Sequence, residues 1–190
     1  YLDYKSTLDL PMRQNAEYTL FTRSNGIPIL AKYDLLAIEP GRAMIFDWKT
    51  SGKPPSRVYL AKRMQTHVYP YLLVQAGSRL NGGEPIEPES IQMTYWFPGA
   101  PAALQTFSYS TGQFEQDKAF LEDTIADILE SEDENSFPKT LENRRCLYCN
   151  YRSFCDRGVK AGDIDSMEED EDIIEESINS DFDSIQEIDY

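Results

Sequence analysis

No apolar run in the 190 residues approaches the length that spans a membrane, which excludes a transmembrane helix. No secretory signal pattern opens the chain, and neither does Met. Tyr1 reads as the middle of a domain, so a segment upstream of it is expected. No internal repeat is visible. Basic residues are missing altogether from residues 161–190, which hold 13 Asp and Glu and no Lys or Arg. That absence changes the meaning of the formal charge of −15. With the 13 acids of the tail set aside, residues 1–160 carry only −2, so the body can hold local basic patches and nucleic acid is not excluded as a partner. Cysteine is scarce: three residues, all between 146 and 155. An odd, clustered set argues against a disulfide framework. It points to a metal or cluster site in a reducing compartment, and so to a cytoplasmic protein. What remains is enough chain for one domain of ordinary size with its own core.

Turn chemistry divides the front of the chain. Asn25-Gly26 is a two-residue hairpin signal and Pro40-Gly41 a second turn, so residues 16–52 read as three strands. Residues 54–80 carry apolar side chains at helical spacing and read as one helix, entered after two prolines and kinked at Pro70. Residues 91–97 and 104–110 read as strands, and 113–131 as an amphipathic helix. The segment 137–155 is compact and holds the cysteines. One domain of mixed α/β (α+β) class over residues 1–158 is expected, followed by an acidic tail over 159–190. Blocks of like charge usually stay disordered, and that is the plain reading of the tail. The sharper one is a mimic of a nucleic-acid strand, or a dock for a protein partner through its scattered Ile and Phe.

The turns also set a register. With Asn25 and Gly26 as loop residues, Glu17 faces Asp34; with Pro40 and Gly41 as loop residues, Asp34 faces Asp47. Directly opposed residues share a side of the sheet with Cβ atoms roughly 4.5–5.5 Å apart. Lys49 shares that side as well, two residues after Asp47. Opposed like charges are destabilising, so three carboxylates in a row need compensation. A divalent cation supplies it, and hard oxygen ligands suit Mg²⁺ or Mn²⁺. The bland alternative is a solvated sheet face.

Taken in order, "GIPILAKYD", "MIFDWKTSG", "QTHVY" and "CLYCNYRSFC" resemble the PD-(D/E)XK nuclease superfamily. Within it they are most similar to the RecB-like exonucleases, including the iron–sulfur members that act in CRISPR adaptation and recombinational repair. The resemblance covers about residues 16–157. It implies a restriction-endonuclease-like fold: a mixed central sheet flanked by helices, with a C-terminal cysteine-containing segment. It implies Asp34 and Asp47 as metal-binding acids, with the backbone carbonyl of Trp48 as a further ligand. Lys49 then orients or activates the attacking water, and Gln65 and Tyr69, four apart on one helix face, contact substrate near the scissile phosphate. Glu17 joins the metal site only through the turn registers. Two features depart from the family. Its metal-binding His precedes the first strand, whereas the one histidine here, His67, lies in the Gln-Tyr helix and reads as a surface residue. Its iron–sulfur members use four cysteines. Both missing parts would lie upstream of Tyr1.

Cys146, Cys149 and Cys155 form C-x2-C-x5-C. Three close thiols suit Zn²⁺ or an Fe–S cluster but are one ligand short of a closed site; three reduced thiols in a small core is the plain alternative. The resemblance implies [4Fe–4S], with the fourth cysteine outside this chain. Arg144, Arg145 and Arg152 surround the thiols, with Tyr148, Tyr151 and Phe154 between them, and Lys53 and Arg57 follow the Asp-Trp-Lys strand. Arginines can clamp phosphates, and aromatics either stack on bases or pack internally. The leading expectation is a Mg²⁺- or Mn²⁺-dependent deoxyribonuclease, an exonuclease on single-stranded ends. The alternatives are a non-catalytic nucleic-acid-binding or scaffold subunit that keeps the fold, and a zinc or Fe–S module.

Overall fold

In the computed structural model the described residues are 10–11, 13–49, 54–97, 104–131, 138–141, 145–147, 149 and 151–158. The chain divides into two compact units, residues 1–131 and 132–190. The tail expected over 159–190 lies outside the described residues.

The first unit is a five-stranded sheet in the order β1-β2-β3-β4-β5. Its strands are β1 (Arg13–Ser24), β2 (Ile27–Glu39), β3 (Arg42–Trp48), β4 (Ile91–Trp96) and β5 (Leu104–Ser108). β3 and β4 run parallel and the other neighbours antiparallel, which makes the sheet mixed. Among the described residues of the unit are the helices α1 (Arg57–Ala61), α2 (Met64–Ala76) and α3 (Thr111–Glu130). This is the mixed sheet with flanking helices that the family resemblance implies. Among the described residues no helix is long and apolar enough to cross a membrane.

The single helix predicted over 54–80 is three pieces. Ser56 caps α1 by accepting from the Tyr59 N–H. Arg63 then adopts extended backbone (φ −68°, ψ 139°), which ends one helix and starts the next. A 3₁₀ turn, Gly77–Asn81, completes the segment. Pro70 lies inside α2, and the helix continues through it. The break at Arg63 re-aims the chain so that α2 lies along the sheet.

The central strand β3 is buried on both sides, as a strand flanked by parallel and antiparallel neighbours should be. Ala43 and Ile45 join the main core with Leu36, Ile38, Met93, Tyr95, Leu72, Leu73 and Leu121. Met44 and Phe46 join a smaller cluster on the other face, with Leu35, Ala37 and Trp48. Both turn registers agree with the ladders: Ser24 pairs with Ile27, and Glu39 with Arg42. One step is skipped. Ala16 pairs with Leu35 and Tyr18 with Tyr33, but Glu17 and Asp34, opposite one another, make no ladder pair. Glu17 has φ 51°, the left-handed region. The alternation of β2 changes there: Ala31 and Tyr33 face the main core before the step, Leu36 and Ile38 after it.

Three core tyrosines have buried hydroxyls. Tyr33 donates to the Tyr69 carbonyl at 2.8 Å, and Tyr109 to Asp117 Oδ2 at 2.8 Å. Tyr95 lies 2.7 Å from Thr66 Oγ1. Burial raises all three, Tyr95 to about 12. The fold therefore keeps protons that the unfolded chain releases near pH 10. The stability they contribute is complete below that pH and falls as pH rises through the folded values. For Tyr33 and Tyr95 the slope reaches about 1.4 kcal/mol per pH unit each. Urea midpoints measured from about pH 9 to about pH 11 should drop steeply above pH 10, and Tyr95→Phe should flatten the drop.

Candidate active site

Asp34 sits where β2 leaves its ladder, and its Oδ2 accepts the backbone N–H of Trp48 at 2.7 Å. That bond carries the β2–β3 register past its last ladder pair, Leu35 with Phe46. Asp47, one residue before Trp48, is 3% exposed. The N–H of Lys49 donates to the Trp96 carbonyl at 2.9 Å, so the end of β3 is pinned to β4 as well as to β2.

The first turn of α2 closes over these residues. Gln65 donates from Nε2 to Asp47 Oδ1 at 3.0 Å and to the Tyr69 hydroxyl at 3.1 Å. Its Oε1 accepts from Lys49 Nζ at 2.8 Å. The Tyr69 hydroxyl in turn donates to the Lys32 carbonyl on β2 at 2.8 Å. Gln65 and Tyr69 meet because positions four apart share a helix face. Lys49 Nζ also lies 5.4 Å from the centre of the Tyr95 ring. Asp47, Lys49, Gln65 and Tyr69 thus form one connected group between β3 and α2 that reaches β2 at the Lys32 carbonyl, and Asp34 adjoins it through the Trp48 backbone N–H.

The group is electrostatically poised. Burial pushes the Asp47 carboxyl above the usual carboxylate range, while the Lys49 ammonium opposes it and Asp34 adds to it. Burial likewise raises Tyr69. Asp47 Oδ2 is ion-paired with Lys49 Nζ at 2.7 Å. A buried carboxylate with a second carboxylate near enough to raise it is a donor set that fits a hard divalent cation. Mg²⁺ is commonly held by one or two carboxylates, with waters and substrate phosphate completing its shell. Among the described residues no three His, Cys, Asp or Glu side chains converge.

Other predicted residues lie elsewhere. The Glu17 carboxylate is exposed and pairs with Lys32. Arg57 donates to the Thr106 carbonyl at 2.8 Å and lies over the Phe107 ring, tying α1 to β5. His67, read from sequence as a surface residue, is instead held in the α2–α3 contact. Its Nδ1 is 2.7 Å from the buried Asp117 and its ring packs on Phe120. Lys53, Arg144 and Tyr148 lie outside the described residues, as does the side chain of Arg145.

In the second unit Cys146, Cys149 and Cys155 are not joined in disulfides, and Cys146 Sγ accepts from Arg157 Nη1 at 2.9 Å. Arg152 donates from Nε to the Arg157 carbonyl at 2.8 Å, which folds the turn around it. Tyr151 and Phe154 are 70% and 81% exposed, so neither is core packing.

Sequence reading missed Tyr95 and Thr66. Thr66 Oγ1 donates to the Leu60 carbonyl and meets the Tyr95 hydroxyl, holding the ring near Lys49. No turn joins β3 to β4, so nothing local announced that Tyr95 pairs with Asp47 across a parallel ladder.

No curated protein matches the sequence. The solved structure described as the crystal structure of SSO0001 aligns with 84% of this chain and 68% of its own, at 16% identity and a TM-score of 0.48. A family model described as the PD-(D/E)XK nuclease superfamily matches residues 2–156, a span that includes every strand and helix of the sheet unit and the three cysteines. Superfamily members are generally nucleolytic and typically use divalent metals. On that match, the chain belongs to the PD-(D/E)XK nuclease superfamily.

Proposed function

We propose that the chain is a Mg²⁺- or Mn²⁺-dependent nuclease that hydrolyses DNA phosphodiester bonds as an exonuclease on single-stranded ends, of the RecB-like kind that serves repair, recombination or CRISPR adaptation. The observation that carries the reading is the buried Asp47 carboxylate, held against the Lys49 ammonium at 2.7 Å with Asp34 near enough to raise its carboxyl further. Asp34 and Asp47 would hold the cation, with the Trp48 carbonyl as a further ligand. Divalent metal, when bound there, supplies Lewis-acid polarisation of the phosphoryl group and an acidified water. Lys49 holds the attacking water by a donated hydrogen bond and offsets charge on the phosphoryl oxygens. Gln65 keeps the Lys49 amine beside Asp47, and Tyr69 anchors Gln65 to β2.

The test is incubation of the full chain with end-labelled single strands and with closed circles, with Mg²⁺, Mn²⁺ or chelator. Metal-dependent loss of the linear strand, with circles spared, is expected. Cleavage of circles would overturn the exonuclease part, and no cleavage with either metal would leave the non-catalytic binding subunit as the better reading.

Gln65→Ala should lower turnover roughly 10- to 100-fold, the usual effect of removing a group that orients a metal site. It should weaken Mn²⁺ binding, measured by titration calorimetry, by a similar factor. Unchanged binding and turnover would remove Gln65 from the site.

For the second unit the proposal is that Cys146, Cys149 and Cys155 supply three ligands of a [4Fe–4S] cluster completed by a cysteine outside this chain, with Zn²⁺ as the alternative. Support is the spacing and the Arg157 donor on Cys146, since hydrogen bonds to sulfur tune such centres. Iron, sulfide and zinc analysis of the full-length protein tests it; a metal-free preparation that keeps its fold would overturn it.

A further inference from the structure

We propose that Tyr95 is a positioning residue for Lys49: the face of its ring holds the Lys49 ammonium beside Asp47 and Gln65, and the Thr66 hydroxyl holds the ring. The inference rests on the nuclease reading for what Lys49 does, but not for whether the ring holds it.

Tyr95 reaches Lys49 through the parallel ladder, in which it pairs with Asp47. Two adjacent residues of β4 grip Lys49. The Trp96 carbonyl accepts the Lys49 backbone N–H at 2.9 Å, and Lys49 Nζ lies over the Tyr95 ring, 5.4 Å from its centre. A cation within about 6 Å of a ring centroid is drawn to the π face, most strongly where water is kept away. Little water reaches this contact: Tyr95 is fully buried, and the Lys49 side chain is 19% exposed.

The hydroxyl of Tyr95 is engaged away from Lys49. Thr66 Oγ1 donates to the Leu60 carbonyl at 2.5 Å and lies 2.7 Å from the Tyr95 hydroxyl. A hydroxyl carries one proton, so with Thr66 donating to Leu60, Tyr95 is the donor to Thr66. Phe107 meets the same ring edge to face, with centroids 6.0 Å apart at 85°. The ring is thus fixed from α2 and from β5, and it is the ring, not the hydroxyl, that acts on Lys49. An ammonium has three donors. This one is ion-paired with Asp47 Oδ2 at 2.7 Å and donates to Gln65 Oε1 at 2.8 Å. A π face holds its charge without the oxygen acceptor that would claim another N–H, which leaves a donor for the attacking water.

The test changes the electrons of the ring and keeps its shape. Tyr95→Phe, and the same substitution carrying three ring fluorines, are made in the wild-type chain and in Lys49→Met. Fluorine drains the negative face of the ring, on which a cation depends. Urea unfolding of these proteins without metal forms a double-mutant cycle. Fluorination should lower the folding equilibrium constant roughly 3- to 30-fold more where Lys49 is present than in Lys49→Met. Equal effects in both backgrounds would make Tyr95 ordinary core packing and overturn the proposal. In the cleavage assay, fluorination should lower kcat by a similar factor with KM nearly unchanged, a split that loss of packing alone does not produce. Unchanged kcat, or a rise in KM alone, would overturn the positioning role. A wild-type chain that cleaves nothing would sink the nuclease reading instead, and the unfolding cycle would still decide whether the ring holds Lys49.

Discussion

Asp47→Asn should abolish metal-dependent cleavage, by at least about 10³-fold, while leaving the metal-free protein as stable as wild type or more so. Asn keeps the shape of the side chain and can still accept from Gln65 or Lys49, so the packing around the end of β3 survives. It cannot supply the anionic oxygen that hard cations require. The stability expectation follows from burial. A carboxylate 3% exposed is held in the fold at a cost, visible as the upward push on its carboxyl, and a neutral amide does not carry that cost. The two states separate in a thermal scan. At ten times its Kd, Mg²⁺ or Mn²⁺ adds about 1.4 kcal/mol to wild type, or roughly 3–6 °C, and nothing to the variant. Retained activity, or an equal metal-induced shift in both proteins, would remove Asp47 from the metal site.

Lys49→Met should lower kcat by roughly 10²- to 10⁴-fold with DNA affinity nearly unchanged. Methionine fills most of the same space and loses the charge. The ammonium contacts Asp47 Oδ2 and Gln65 Oε1 and lies beside the Tyr95 ring, so its position is defined from three elements. A group held this way acts on what develops at the reacting phosphate more than on the ground-state strand. Rapid-quench turnover and anisotropy on one preparation separate the effects. Equal losses in both would make Lys49 a phosphate anchor. Unlike Asp47→Asn, this variant should also lose stability, because Asp47 is left buried without its cation.

How far the site could be read from sequence differs residue by residue. Asp34 and Asp47 could be brought opposite one another by counting outward from Asn25-Gly26 and Pro40-Gly41, because a hairpin turn fixes its register locally and the count then runs along the strands. Gln65 and Tyr69 could be put on one face because helix period is local too. Glu17 was counted opposite Asp34 and is opposite Asp34, yet its left-handed backbone and the nearby Lys32 turn its carboxylate to an ion pair. Arg57 carried the right charge at the right distance in sequence, but β5, distant along the chain, supplies the carbonyl and ring that occupy it.

By itself, the sequence determined the strand and helix order, the antiparallel registers of β1–β2–β3, the acidic bias of the last thirty residues and the four family motifs. Each follows from interactions among near neighbours: turn dihedrals, side-chain period and charge density. Tertiary structure alone decided the parallel β3–β4 pairing that puts Tyr95 beside Lys49, the break at Arg63 that lays Gln65 against Asp47, and the capture of His67 by Asp117. Those contacts join segments about 16 to 50 residues apart, where loop closure leaves many pairings similar in cost and only the packing of a whole core selects among them.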